Sequence, residues 1–198
     1  MPQRRLILAL PLLPFAARAQ PGFLDTGAAL ALLRAGGLNL YLRHAITDRA
    51  QMDTGRRGDR AGQRNLSAAG RAQAAALGAA FRRLAVPVAE VLSSEVFRAR
   101  DTAELAFGTF RIERDLIADD YTPGSALEDA AAVSRRLAQP VAGGNRVLVG
   151  HIVPLGMVLG RGLAQAEFPE GAMGVFRPEG GSWRFLGFVA AAQLIEAS

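Results

Sequence analysis

The sequence contains no cysteine. That single absence removes disulfides, thiol nucleophiles, iron–sulfur clusters and cysteine-ligated zinc. Lysine is missing too, so all 23 basic residues are arginine, and neither a Schiff-base amine nor the lysine of a nucleotide-binding P-loop is available. Histidine occurs twice, as His44 and His151. Aromatic residues make up 7%, and no basic stripe carries interleaved aromatics, which argues against nucleic acid as a partner. No internal repeat is visible. What is present is apolar: of 198 residues 50% are hydrophobic and 21% charged. That is enough for one well-cored domain, too little for two large ones, and incompatible with disorder.

The first nineteen residues stand apart. Arg4 and Arg5 give a basic start, Leu6 to Ala16 is an apolar run too short to span a bilayer, and Ala17-Arg18-Ala19 suits cleavage before Gln20. Residues 1–19 therefore read as a secretory signal peptide, residues 20–198 as one domain, and the location as periplasmic or secreted, without stable membrane insertion after cleavage. The competing reading of the same run is an N-terminal membrane anchor. Arg4, Arg5 and Arg18 leave with the leader and no acid does, so 20 of the 23 arginines face 18 acids and the net charge falls from +5 to +2. The pI of about 11.0 reflects the pKa of arginine more than a large excess of charge. The run Arg56-Arg57-Gly58-Asp59-Arg60 is expected to be a solvated loop rather than a binding patch.

Along the domain, helices and strands alternate. Asp25 can cap a helix over Thr26–Ala35 that stops at Gly36-Gly37, and Leu38 to Leu42 forms a buried strand running into Arg43-His44. Ser67 opens a long alanine-rich helix to about Leu84, Val86 to Ser93 is a second strand, and Phe97 to Gly108 and Ser125 to Ala138 read as helices. Arg146 to Gly150 is a third strand, and Gly174 to Val189 adds a hairpin turning at Gly180-Gly181. This order predicts an α/β fold with a mostly parallel central sheet and helices on both faces, a three-layer sandwich. Thr47 to Gln63 is the one long polar stretch, of a kind that is usually functional or mobile.

In open α/β sheets ligands bind beyond the carboxyl ends of the strands. Both histidines fall there: Arg43-His44 ends the first strand and Gly150-His151 the third, while Ser93-Ser94 ends the second and sets Arg98 one turn into the next helix. Either histidine alone is better read as structural. Together they are not, because chance would have to place both at equivalent strand ends. Guanidinium forks match phosphate oxygens, a neutral imidazole can attack phosphorus, and a second, protonated imidazole can stabilise the charge on the equatorial oxygens. Such a phosphoryl-transfer site needs no cofactor and no metal.

The same residues resemble the histidine phosphatase superfamily, which includes cofactor-dependent phosphoglycerate mutases and acid phosphatases. Leu40-Tyr41-Leu42-Arg43-His44-Ala45 is similar to its strand ending in Arg-His-Gly, with Ala45 in place of glycine. Asn65-Leu66-Ser67-Ala68-Ala69-Gly70-Arg71-Ala72-Gln73-Ala74 resembles its Leu-Ser/Thr-x-x-Gly-x-x-Gln-Ala helix start. Ser93 to Ala103 resembles its Ser-Ser-Pro-x-x-Arg-x-x-x-Thr-Ala segment, with Glu95 replacing proline, and Leu148-Val149-Gly150-His151 its second-histidine strand. The four motifs run in order over about Leu38 to Gly162. The resemblance implies a phosphoglycerate mutase-like fold, His44 as the nucleophile that becomes phosphohistidine, and Arg43, Arg98 and His151 as holders of the phosphoryl group.

One branch of that family carries an aspartate directly after its second histidine, where Ile152 stands here, so the general acid is sought between Arg98 and His151. Asp101, Glu104, Glu128 and Asp129 lie inside helices and are expected to be solvated or paired, and Glu113 and Asp115 lie in an extended segment. Asp120 is the expected acid. It sits in the turn-rich Asp119-Asp120-Tyr121-Thr122-Pro123-Gly124, where two adjacent carboxylates can raise one pKa; the alternative is a capping or turn-stabilising aspartate. Arg64 is expected either as a further phosphate contact or as a loop-anchoring ion pair. The function read from these residues is an exported phosphatase hydrolysing phosphomonoesters through a phosphohistidine, with a phosphorylated small molecule or an envelope phosphosugar as partner. The alternatives are a non-catalytic phosphate-binding or envelope-assembly protein that keeps the anion pocket, and a phosphomutase. The sequence leaves the oligomeric state open.

Overall fold

The computed structural model describes residues 22–198; the signal peptide expected at 1–19 lies outside them. Three of the longer helices begin at side-chain caps, which satisfy amide groups that a helix start leaves without a carbonyl partner. Asp25 accepts from the Ala28 N–H at the start of α1 (Thr26–Ala35) at 3.1 Å. Ser67 accepts from Gly70 at 3.0 Å at the start of α2 (Ala68–Arg83), and Ser125 from Glu128 at 3.4 Å ahead of the helix Ala126–Leu137.

The strands are β1 (Asn39–Arg43), β2 (Val88–Ser93), β3 (Arg111–Ile112), β4 (Asn145–Gly150), β5 (Met173–Glu179) and β6 (Ser182–Val189), in the sheet order β3-β2-β4-β1-β5-β6. From β3 to β1 the neighbours are parallel; β5 and β6 add an antiparallel hairpin beside β1, turning at Gly180-Gly181. The remaining helices are α3 (Phe97–Phe107), α4 (Ala126–Leu137), α5 (Ile152–Val158) and α6 (Ala191–Glu196), with 3-10 turns at Arg114–Leu116 and Asp119–Tyr121. The elements not expected from sequence, β3, α5, α6 and both 3-10 turns, are too short to show a hydrophobic period.

Alternate residues of the inner strands point to opposite faces. Leu40, Leu42, Val147 and Val149 pack with Leu33 of α1, Leu77 of α2, Ala99 of α3 and Leu194 of α6. Tyr41, Leu92, Leu148 and Phe176 pack on the other face with Val133 and Leu137 of α4 and Leu155 of α5. The expected three-layer sandwich results, and each fully buried leucine or valine stabilises it by about 1.5–3 kcal/mol. Helix α2 lies so close to α3 that a Cβ on Gly78 would run into the Ala106 backbone. Among the described residues no helix is long and apolar enough to cross a membrane.

The register positions the site. Arg43 pairs with Gly150 across β1 and β4, and Ser93 with Val149 across β2 and β4. The carboxyl ends of three adjacent parallel strands therefore finish level with one another, and the residues that follow them, His44, Ser94 and His151, meet at one sheet edge.

Candidate active site

His44 and His151 face each other with ring centroids 5.4 Å apart, both buried. His44 is held by its backbone, donating to the Gly150 carbonyl at 3.1 Å and accepting from the Gly171 N–H at 3.0 Å. Its ring Nδ1 lies 2.9 Å from the Ala45 carbonyl. A carbonyl can only accept, so Nδ1 carries the proton and Nε2 keeps its lone pair. Burial, with Arg98, Arg43 and Arg64 adding to it, holds the imidazole well below its ordinary pKa. His44 is therefore a neutral imidazole with a defined tautomer and one free nitrogen.

His151 is fixed from two sides. Its backbone N–H donates to the Tyr41 hydroxyl at 3.0 Å, and that hydroxyl donates to the His151 carbonyl at 3.1 Å. Gly150 must be glycine for this to happen, because a Cβ there would run into the Tyr41 hydroxyl. The ring Nε2 lies 3.0 Å from the Ser94 hydroxyl, and Nδ1 is buried with no partner. Burial first, then Arg98, His44 and Arg43, hold its pKa well below that of an ordinary imidazole. Among these neighbours it is neutral, because a second buried charge beside two guanidiniums costs too much.

Arg43 donates through Nη1 to the Phe168 carbonyl at 2.5 Å, while its Nε is buried without a partner. Burial lowers its pKa to about 10, with Glu170 opposing the shift, so it stays cationic. Arg98, on the first turn of α3, donates through Nη1 to both oxygens of Asp53 at 3.0 and 3.1 Å, and its Nε too is buried and unpartnered. Thr102 ties this helix to the loop that follows His44, donating to the Arg98 carbonyl at 2.7 Å and accepting from the Ala45 N–H at 2.9 Å. Arg64 is half-buried, acts electrostatically on His44 and Arg43, and makes no side-chain ion pair among the described residues. Its Nε is another buried, unpartnered donor.

The structure thus brings Arg43, His44, Arg98 and His151 together and sets Arg64 at their margin. Asp120 is placed differently from the expectation. Its side chain is exposed, whereas the neighbouring Asp119 is half-buried, and burial followed by the Asp120 charge raises the Asp119 pKa while Arg98 opposes it. The 3-10 turn leaves the two carboxylates side by side, with Asp119 the more buried. Other carboxylates of the interval are paired: Glu113 lies 2.5 Å and Asp115 3.7 Å from Arg136, and Asp101 takes Arg60 at 2.7 Å and Arg71 at 3.5 Å. Glu113 precedes the 3-10 turn Arg114–Leu116 and Asp115 lies within it, so the extended segment expected there ends at β3.

Sequence reasoning missed Asp53, Tyr41, Ser94 and Tyr121. Asp53 had a signal in its place in the polar stretch after Thr47, Ser94 in its place at the end of the second strand, and Tyr121 in the turn-rich segment beside Asp120. Nor is the basic run of that stretch simply solvated, since Arg57 pairs with Glu95 at 2.6 Å and Arg60 with Asp101. A groove of about 520 Å³ between α2, α3 and β2, lined by Phe81, Val88, Phe107 and Phe110, contains none of the convergent groups. Among the described residues no cluster of three or more histidine or carboxylate side chains could hold a metal ion.

Residues 40–120 match the histidine phosphatase superfamily (branch 1). No protein of curated function matches the sequence. Among solved structures, the fold is shared with an open reading frame product of Mycobacterium tuberculosis (TM-score 0.58, 17% identity, covering 78% of this chain and 98% of that one). It is shared also with a phosphoserine phosphatase of Entamoeba histolytica in complex with phosphoserine (0.56, 12%, 79% and 98%). A third is SixA, a protein histidine phosphatase complexed with tungstate (0.55, 14%, 79% and 99%). Identities this low speak to the fold alone. The matched stretch, residues 40–120, holds Arg43, His44 and Arg98 of this sheet edge and stops short of His151.

Proposed function

We propose that the protein is an exported phosphatase that hydrolyses phosphomonoesters through a phosphohistidine at His44. One observation carries the reading. Of the six buried side-chain nitrogens without a hydrogen-bond partner among the described residues, four belong to this one place: Nε of Arg43, Arg64 and Arg98, and Nδ1 of His151. An unmet buried donor costs about 1–3 kcal/mol, so their concentration at one sheet edge points to an oxyanion that accepts from all of them.

The chemistry follows from the tautomer. With Nδ1 tied to Ala45, His44 presents Nε2 to the phosphorus of a phosphomonoester held by Arg43 and Arg98. A bond forms from Nε2 to phosphorus as the bond to the ester oxygen breaks, and the departing oxygen takes a proton from the acid. Water then attacks the phosphorus and gives a proton back to the carboxylate of that acid as the phosphorus–nitrogen bond breaks, which returns neutral His44 and releases phosphate. The arriving dianion supplies the counter-charge that the pocket's arginines deny to a second cation, so His151 takes up a proton with it and stabilises the equatorial oxygens. Asp119, half-buried and with its pKa raised by burial and by the Asp120 charge, is favoured as the acid over the exposed Asp120.

The substrate class stays that of phosphorylated small molecules or envelope phosphosugars, and export rests on the leader at residues 1–19. A binding protein without turnover would have no use for a histidine locked in the nucleophilic tautomer. The test is hydrolysis of a phosphomonoester panel by the purified protein, with alkaline quenching, because phosphohistidine is acid-labile. A phosphoramidate on His44 is expected, and His44→Ala should lose several orders of magnitude of activity; a fully active variant refutes the mechanism.

A further inference from the structure

We propose that Asp53 is a positioning residue for this site: its carboxylate holds Arg98 by one nitrogen, leaving the opposite edge of the guanidinium for phosphate, and anchors the turn that carries Asp119 to the same point. The inference rests on the phosphatase reading above. Asp53 lies nine positions beyond His44 in the polar stretch. Its two oxygens accept from Arg98 Nη1 at 3.0 and 3.1 Å, and Oδ1 accepts further from the Tyr121 hydroxyl at 2.6 Å and the Arg64 N–H at 2.8 Å. One carboxylate thus joins a phosphate-holding arginine, the backbone of a second arginine, and the last residue of the 3-10 turn Asp119–Tyr121.

A guanidinium presents five N–H groups in one plane, and its Nε and one Nη form a parallel pair matched to two phosphate oxygens. With Nη1 committed to Asp53, the edge that includes the unpartnered Nε remains. Asp53 also opposes the mutual repulsion of Arg98, Arg43 and Arg64, which all bear on His44. Its bonds from Tyr121, Arg64 and Arg98 outweigh burial and hold its carboxyl below the usual range, so it remains an anion.

The stretch carrying Asp53 is built in advance. Arg57 grips Glu95 through two bonds of 2.6 and 2.9 Å, and Arg60 grips Asp101 through two of 2.7 and 2.8 Å. Arg60 also lies 4.1 Å over the Phe97 ring, whose backbone N–H donates to Gln63 Oε1 at 3.0 Å. Glu95 and Phe97 flank the start of α3, so the strap is fastened to the segment that presents Arg98. A donor set aimed before substrate arrives spends nothing on reorganisation during the reaction.

The test compares the full chain with its Asp53→Asn, Asp53→Glu and Asp53→Ala variants by three measurements: inorganic phosphate affinity by calorimetry, kcat and KM on p-nitrophenyl phosphate, and thermal midpoint. The expected result is a loss of phosphate affinity and a rise in KM of roughly tenfold or more for Asp53→Asn, a larger effect than on kcat, with partial recovery in Asp53→Glu. A purely structural role would lower the midpoint without this split. Unchanged phosphate affinity in Asp53→Asn overturns the proposal, and so does tighter binding, which would mean that the carboxylate competes for the anion's place. Should Asp53→Ala fail to fold, Asp53→Asn, isosteric with the native side chain, decides alone. A wild-type protein that neither binds phosphate nor hydrolyses any ester overturns the phosphatase reading itself, whereas wild-type binding with unaffected variants removes only the role of Asp53.

Discussion

Tyr41→Phe tests whether one buried hydroxyl holds the second histidine in place. Tyr41 is fully buried in β1, and its hydroxyl both donates to the His151 carbonyl and accepts from the His151 N–H. Burial pushes its pKa above the ordinary tyrosine value, so the hydroxyl is neutral throughout the working range. Phenylalanine keeps the ring and its packing against Phe168, at 6.5 Å between centroids, and removes only the oxygen. The expected cost has two parts: about 1 kcal/mol for each of the two bonds, and about 1–3 kcal/mol if the His151 N–H is left buried without a partner. These overlap, so a loss of about 2–4 kcal/mol is expected. In urea, with a slope of about 1–3 kcal/mol per molar for small domains, that moves the unfolding midpoint by about one molar or more. His151 also gains freedom at the phosphate, so kcat/KM should fall by about tenfold or more, against about 1.4 kcal/mol of lost transition-state stabilisation per factor of ten. A variant within about 0.5 kcal/mol of wild type, a change usual for unimportant surface positions, with unaltered kcat/KM would refute the reasoning.

Three further outcomes follow from the geometry. His44 and His151 are both held well below 6.5; the unfolded chain therefore protonates first, and the stability present above that value is lost as pH falls through the folded values, at up to about 1.4 kcal/mol per pH unit for each histidine. Urea unfolding between pH 7 and 5 should show this slope, bound phosphate should flatten it, and a pH-independent midpoint would contradict it. Asp119→Asn should slow esters with poor leaving groups far more than p-nitrophenyl phosphate, while Asp120→Asn should do much less; equal losses on both substrates for Asp119→Asn would move the acid role elsewhere. A chelator should leave the rate unchanged and vanadate should inhibit strongly; activity killed by chelation and restored by added metal would count against the arginine–histidine pocket.

Much of the site was legible because it obeys local rules. Arg43, His44 and His151 end apolar runs that could only be buried strands, and Arg98 is placed by the length of one helical turn. The caps at Asp25, Ser67 and Ser125 were readable for the same reason, since each acts on an amide three residues away. Asp119 and Asp120 were not separable, because adjacent carboxylates look alike until the fold leaves one half-buried and the other exposed. The desolvation of His151, and the action of Arg98, His44 and Arg43 on it, were not readable because they depend on spatial neighbours, not sequence neighbours.

The sequence by itself determined the alternation of strands and helices, the exclusion of thiol and lysine chemistry, and the identity of the two imidazoles and two guanidiniums that could handle phosphate. Hydrophobic periodicity, helix capping and residue chemistry act over a few positions, so a linear reading reaches them. The tertiary structure decided what those groups face. Parallel pairing of β1 with β4 set the histidine rings 5.4 Å apart, Tyr41 reached 110 positions along the chain to fix His151, and Asp53 crossed 45 to hold Arg98. Such contacts form only when the sheet assembles, because their energy depends on burial and distance in space, which the order of residues along a chain does not specify.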